Sequence, residues 1–335
     1  MSGPDPGAKT VDEFDWIQRC LIPLAAGSPG ALGLLDDAAI IPARPGFDLV
    51  LSKDAIVSGV HFLPDDPLDE VARKLLRVNL SDLAAKGAEP YAYMLAIAWP
   101  PSADWPAREA FARGLGEDQR RFGLTLLGGD TVSTLGPLTA SLTIFGYVPS
   151  GRLVPRGGAR PGDLVLVSGT IGDGALGLQA AQGRLAGLDQ ADLDWLAGRY
   201  RRPEPRLNLR PALRDHVHAA ADVSDGLVAD AGRLAIASGL ALELDLAAMP
   251  LSPPARRWLA LQPDPVAARL ALATGGDDYE VICTAALDEA QPLCEAASTV
   301  GTPLTVIGCV TTGQGVVTRH GREALSVARA GYRHS

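Results

Sequence analysis

The sequence predicts a two-domain protein of α/β (α+β) class, on three observations. Helical and strand-like segments alternate along both halves of the chain. Its 335 residues exceed what one ordinary core organises. The stretch Pro149-Ser150-Gly151-Arg152, followed by Arg156-Gly157-Gly158-Ala159-Arg160-Pro161-Gly162-Asp163, concentrates turn formers and charge. The domain boundary is placed there, giving domains 1–150 and 151–335.

Residues 49–52 read as a short apolar strand ending at Asp54. Residues 67–86 read as a helix in which Asp82 follows Leu75 by seven positions and Val78 by four, so the three share one side. A carboxylate on that apolar side must be paired, hydrogen-bonded or metal-bound. Residues 103–122 form a second amphipathic helix, 124–127 a strand stopping at Gly128-Gly129-Asp130, and 138–148 a further strand. Beyond the boundary, 164–168 is a strand that leads through a glycine loop into a helix from about Gly174, and 188–200 is again helical. The strand 218–223 runs into Ser224-Asp225-Gly226 and the helix 227–237. Further strands are expected at 241–246, 279–284 and 304–310, with no internal repeat.

A net charge of −9 argues against nucleic acid as the main partner, because a phosphate backbone requires clustered Lys and Arg. Residues 1–10 lack the apolar core of a signal peptide, and no apolar run reaches the length of a membrane span, so the expected location is the cytoplasm. Cys20, Cys283, Cys294 and Cys309 show no C-x-x-C spacing and read as small buried hydrophobes. The dispersed histidines suggest neither a zinc site nor a Cys-His pair. Aspartates, by contrast, gather at strand ends and glycine turns: Asp36-Asp37, Asp54, Asp130, Asp222, Asp225 and Asp277-Asp278. Oxygen-only donors of this kind favour a hard divalent cation such as Mg²⁺.

Gly172-Asp173-Gly174-Ala175-Leu176-Gly177 matches G-x-G-x-x-G, but the acid that should end the next strand falls in a predicted helix, so a tight strand-to-helix turn is the better reading. No Walker A sequence is present. Gly128-Gly129-Asp130-Thr131 offers another plan, with backbone N–H groups approaching a phosphate and the aspartate holding a metal; taken alone, an ordinary turn is the better reading. In Asp222-Val223-Ser224-Asp225-Gly226, taken alone, Ser224 or Asp225 as a helix cap is the better reading.

The combination is far more specific. Asp37, Ser52-Lys53-Asp54 with Val60-His61-Phe62, the segment from Asn79 to Ala88, Gly128 to Thr131, Asp222 to Gly226 and Gly275-Gly276-Asp277-Asp278-Tyr279-Glu280 occur in that order. This set resembles the thiamine-monophosphate kinase family of the aminoimidazole-ribonucleotide-synthetase superfamily, from about Phe14 to Tyr332. The resemblance implies an N-terminal α/β domain that forms a barrel-like sheet in a homodimer, and a C-terminal α/β domain completing a cleft for ATP and thiamine monophosphate. It implies Asp37, Asp54, Asp82, Asp130 and Asp222 as Mg²⁺ ligands, with Ser52 assisting, the backbone carbonyl of Lys53 available, and Asp225 as a further ligand. Gly129, Asp130, Arg156 and Ser224 fall where the family contacts ATP; His61, Asp277 and Tyr332 fall where it contacts thiamine monophosphate.

The chain departs from the family pattern at four places. Leu34-Leu35 precede Asp36 where G-[IV]-G-D-D is usual, Lys53 stands where Thr is common, and Asp277 where Glu is common. Gly331-Tyr332-Arg333-His334-Ser335 replaces G-Y-x-H-F. No carboxylate is lost. The implied reaction is ATP-dependent phosphorylation of thiamine monophosphate to thiamine diphosphate, by Mg²⁺-assisted in-line transfer without a protein nucleophile or general base. The acceptor phosphate, with a second pKa near 6, is already mostly a dianion at about pH 7. Selenophosphate synthetase is disfavoured because no Cys-Lys pair opens the chain, and the hydrogenase-maturation relative because no cysteine ends it. A catalytically silent nucleotide- or thiamine-binding protein is the alternative of a different class.

Overall fold

Residues 12–332 are described in the computed structural model of the chain, and they fall into two compact units. The first comprises the residues up to Pro45, Leu51–Asn79 and Pro90–Gly146; the second comprises Gly46–Val50, Leu80–Glu89 and the chain from Tyr147 onward. Arg333 and His334 of the C-terminal motif lie outside the described residues. Among the described residues no helix is long and apolar enough to cross a membrane.

The first unit opens with α1 (Glu13–Trp16), capped by the Asp12 carboxylate, which accepts from the Phe14 and Asp15 N–H groups. A π-helical turn, Ile17–Leu21, leads into α2 (Ile22–Ala25), and a 3-10 segment, Pro29–Leu34, follows. Then come β1 (Phe47–Val57), α3 (Leu68–Ala85), β2 (Glu89–Trp99), α4 (Trp105–Phe122), β3 (Thr125–Ser133) and β4 (Thr139–Pro149). The four strands form one sheet in the order β1-β4-β2-β3. Parallel strands need a crossover, and α4 supplies it between β2 and β3. Asp104 caps α4 by accepting from Ala107 N–H, and Gly123 ends it at φ 69°. The helix is anchored through Phe111, which meets Trp99 edge-on at 5.5 Å, while Trp99 meets Trp16 in the same way.

Two local readings need correction here. Patterning gives no signal for β2, because its less buried positions Met94, Ala96 and Ala98 are apolar like the buried Tyr93, Leu95, Ile97 and Trp99 between them. The strand expected to stop at Gly128 instead runs through Gly128-Gly129-Asp130 to Ser133. A bulge makes this possible: Tyr93 pairs with Leu126 and Met94 with Gly128, leaving Leu127 as the extra residue. Gly129 lies opposite Leu95 at φ 156°, and a Cβ there would sit 1.7 Å from the Leu95 carbonyl oxygen. The glycine is required by close approach of two strands, so Gly128 to Thr131 is bulged strand and not a turn.

In the second unit the elements are β5 (Leu164–Ser168), α5 (Asp173–Ala181), α6 (Gln190–Arg201), α7 (Arg210–His216), β6 (Ala219–Val223), α8 (Leu227–Ser238) and β7 (Ala241–Asp245). They continue with α9 (Pro253–Ala260), α10 (Pro265–Ala273), β8 (Glu280–Ala285), α11 (Ala290–Thr299), β9 (Leu304–Thr311), β10 (Gly315–His320) and β11 (Glu323–Leu325). The seven strands run β11-β10-β7-β9-β5-β8-β6, which leaves β6 at an edge. Side chains alternate between two cores as the strand period demands. Val165, Val167, Ala221, Val223 and Ile282 enter one with Leu176 and Leu234; Leu166, Ala220, Val281 and Cys283 enter the other with Leu213 and Leu293. Cys283 is thus a core hydrophobe, and burial pushes its thiol up to about 12.

Candidate functional site

In the first unit, the bulged part of β3 forms one wall of a cleft. Gly129, Asp130 and Thr131 line it together with Asp36 and Asp37, and Ile17 and Leu21 of the π-helical turn supply an apolar side. Asp36 folds back to accept from Ala38 N–H at 3.2 Å, an Asx turn that precedes strand formation. Just before it, Leu32 and Leu34 sit at φ 49° and 56°. These left-handed leucines cost on the order of 1 kcal/mol each, so the departure at Leu34-Leu35 is accommodated with backbone strain.

Asp54 lies on β1, where Ser52, Asp54 and Ile56 turn to the more buried face and Leu51, Lys53 and Ala55 to the exposed one. The Asp54 N–H donates to Asn79 Oδ1 at 3.1 Å, while Asn79 Nδ2 donates to Leu75 carbonyl at 2.9 Å. Asn79 is fully buried, so its place in the motif is explained by this double anchorage of the backbone at Asp54. His61 sits in the turn after β1, its Nδ1 accepting from Val57 N–H at 3.0 Å. That bond leaves the proton of the neutral ring on Nε2.

The second unit gathers Asp82, Arg156 and Asp222 around Lys86. Lys86 Nζ donates to the Ala220 carbonyl at 2.6 Å, two residues before Asp222 on β6. Burial and the neighbouring Arg156 push its ammonium down to about 8, against the pull of Asp222 and Asp82. Ala220 N–H donates to the Pro155 carbonyl at 2.9 Å, which brings the exposed Arg156 to the same edge strand.

Three loops meet in this unit. Asp277 N–H donates to Ser224 carbonyl and Tyr279 N–H to Val223 carbonyl, both at 2.8 Å; Tyr332 N–H donates to Asp225 carbonyl at 3.0 Å. The approach is so close that a Cβ on Gly276 would lie 2.6 Å from the Ser224 carbonyl oxygen. Asp230, unforeseen in the sequence, accepts from both the Ser224 and Asp225 N–H groups at 3.0 Å. Burial pushes its carboxyl up to about 6, although Arg233 opposes the shift. Arg233 also pairs with the Asp225 carboxylate, so a metal at Asp225 would have to share or displace that guanidinium. The D-x-S-D-G-x-x-x-D spacing was the only signal for Asp230, and it is indistinguishable from helix-surface acid patterning.

The acids of the Gly275 to Glu280 loop separate cleanly. Asp278, 1% exposed, accepts from Gly172 N–H at 2.8 Å and Gly174 N–H at 2.9 Å. It therefore fills the N-terminus of α5, where a dinucleotide phosphate would have to sit, and the G-x-G-x-x-G motif is a structural turn. Burial, reinforced by Asp173, raises the Asp278 carboxyl well above its ordinary value. Glu280 is fully buried, held by Arg206, by Arg199 at 3.2 Å and by Ser168 Oγ at 2.6 Å. Asp277 remains half-exposed, at φ 69°, with Tyr279 at φ 51°.

The donor set suits a hard cation in chemistry, being carboxylate in both units, with Asp37 and Asp130 on one cleft. Among the described residues, no three His, Cys, Asp or Glu side chains are gathered closely enough to hold a metal by themselves.

The family described as AIR synthase related protein, N-terminal domain, matches residues 35–148, and its C-terminal domain matches residues 160–321. The chain is 53% identical over 329 residues to a thiamine-monophosphate kinase of Caulobacter vibrioides, covering 98% of this chain and 92% of that protein. The crystal structure of thiamine-monophosphate kinase from Stenotrophomonas maltophilia superposes with a TM-score of 0.81 at 39% identity, over 94% of this chain and 98% of that one. The structure of AaThiL complexed with AMPPCP and TMP superposes with a TM-score of 0.74 at 28% identity, over 93% and 96%.

Proposed function

The chain belongs to the thiamine-monophosphate kinase family of AIR synthase related proteins, and we propose from that premise that it phosphorylates thiamine monophosphate to thiamine diphosphate with ATP. The observation that carries this reading is the 53% identity across 98% of the chain. The complex of a relative with AMPPCP and TMP, in which an ATP analogue accompanies TMP, supports the choice of substrates.

In this reading Asp37, Ser52, Asp54, Asp82, Asp130, Asp222 and Asp225 hold Mg²⁺, with the Lys53 carbonyl as a further donor. Mg²⁺ would offset the repulsion between two phosphate groups and stabilise the charge of the transition state. Gly129, Asp130, Arg156 and Ser224 serve ATP. His61, Asp277 and Tyr332 serve thiamine monophosphate, whose cationic thiazolium is attracted by the Asp277 carboxylate. No general base is required, because the acceptor oxygen arrives as an anion. The domain 1–150 acts in ATP and Mg²⁺ binding and in homodimerisation through a barrel-like sheet; the domain 151–335 completes the active site. Cytoplasmic ATP makes the cytoplasm the proposed compartment.

Incubation of the protein with ATP, Mg²⁺ and thiamine monophosphate is expected to yield thiamine diphosphate and ADP in equal amounts. ATP binding without either product would favour a silent binding protein. Lys53→Thr is expected to change turnover by less than roughly tenfold, about 1.4 kcal/mol of barrier, because its side chain faces away from Asp54. A larger loss with a steeper Mg²⁺ requirement would mean that the ammonium itself grips a phosphate or replaces a cation.

A further inference from the structure

The loop from Gly275 to Glu280 is strained in a way that its sequence does not demand. Asp277 and Tyr279 both occupy the left-handed region, at φ 69° and 51°, which side chains seldom adopt without being forced. The forcing groups lie on either side of each residue. Asp278 is pinned by the Gly172 and Gly174 N–H groups, and its own carbonyl accepts from Arg199 at 3.4 Å. Glu280 is clamped by Arg206, Arg199 and Ser168. The backbone N–H groups of Asp277 and Tyr279 are tied to Ser224 and Val223. A buried acid thus alternates with a half-buried, left-handed residue twice in succession. One product of this arrangement is a contact between side chains only two positions apart: the Tyr279 hydroxyl donates to Asp277 Oδ1 at 3.2 Å. In a regular strand, residues two apart project in parallel from the same face; here two left-handed residues close a ring-to-carboxylate bridge.

We infer that Tyr279 is a positioning residue, whose hydroxyl aims the Asp277 carboxylate and thereby sets the affinity for the cationic ring of the phosphate acceptor. This rests on the reading above that Asp277 faces thiamine monophosphate. Two alternative conformations of a free aspartate would divide their electrostatic reward between productive and unproductive geometries. A hydroxyl fixed by strained backbone removes that cost before the ligand arrives. Asp278 and Glu280 do not touch the ligand in this account. They hold the backbone from which Tyr279 and Asp277 project.

Tyr279→Phe keeps the ring and removes only the donor. It is expected to raise the KM for thiamine monophosphate about three- to tenfold, as loss of one ordinary hydrogen bond does, with much smaller changes in kcat and in the KM for ATP. A neutral thiophene analogue of thiamine monophosphate, which lacks the cationic ring, should inhibit wild type and Tyr279→Phe equally. In the Asp277→Ala background, Tyr279→Phe should add nothing further, because the two residues act through one carboxylate. A raised KM in Asp277→Ala with an unchanged KM in Tyr279→Phe would overturn the inference while leaving Asp277 at the substrate. Additive effects of the two substitutions, or equal loss of the neutral analogue, would also overturn it by giving Tyr279 an independent role. An unchanged KM in Asp277→Ala would reject the placement of Asp277 itself, and the inference with it.

Discussion

Asp130→Asn and Asp54→Asn are each expected to lower turnover by about a hundredfold or more, on the order of 3 kcal/mol of barrier, while leaving the fold intact. Asp130 is exposed on β3 just beyond the bulge, and its side chain contributes nothing to the core. Asp54 is anchored through its backbone, by Asn79 accepting from its N–H and by its carbonyl accepting from Ser141 Oγ at 3.1 Å. The amide replacement keeps the shape of each side chain and both backbone bonds of Asp54, so only the negative charge is removed. A steady-state assay over a magnesium titration, with circular dichroism as the check on folding, measures the effect. Chelation of divalent ions should abolish turnover of the unaltered protein. Full activity in chelator, or in both variants, would remove the carboxylates from the proposed mechanism.

Arg206→Ala should cost roughly 3–5 kcal/mol of stability, a large share of the about 5–15 kcal/mol that holds an ordinary domain together. Its guanidinium grips both carboxylate oxygens of Glu280, which is fully buried. Removing it leaves Arg199, at 3.2 Å, and the Ser168 hydroxyl to balance a desolvated charge. The penalty is the exposure of an uncompensated buried anion more than the loss of an attraction. Urea unfolding should show a lower midpoint with little change in slope. A loss below about 1 kcal/mol would mean that Arg199 and Ser168 suffice for Glu280, which the fork geometry of Arg206 argues against.

Both expectations turn on distinctions that differ in how far the sequence carries them. The local period and the turn residues were enough to locate α3, α4, α8 and most strands, because helix and strand repeats are set within a few residues. The motif set, taken in order, carried the family resemblance that the 53% identity to a thiamine-monophosphate kinase supports. The strand β2 escaped because Met94, Ala96 and Ala98 on its less buried face are apolar, so no polar alternation marks it. Gly128-Gly129-Asp130 read as a turn because glycines are permissive everywhere. Only the Leu95 carbonyl opposite Gly129 shows that close strand approach is what requires one.

The acids make the same point more sharply. Asp277, Asp278 and Glu280 lie within four residues and carry the same charge, so composition and spacing cannot rank them. Their fates are decided by partners distant in the chain: Gly172 and Gly174 for Asp278, and Ser168, Arg199 and Arg206 for Glu280. Asp225 and Asp230 share Arg233, and Asp230 is set apart by accepting from the Ser224 and Asp225 N–H groups; Lys86 is placed by a carbonyl on β6. By itself, then, the sequence determined the class of fold, which follows from local periodicity, and its ordered motif set carried the resemblance that places the chain in its family. Tertiary structure alone decided which carboxylates are spent on holding the backbone and which one stays half-exposed, because burying a charge demands counter-charges and N–H donors that only folding brings within reach.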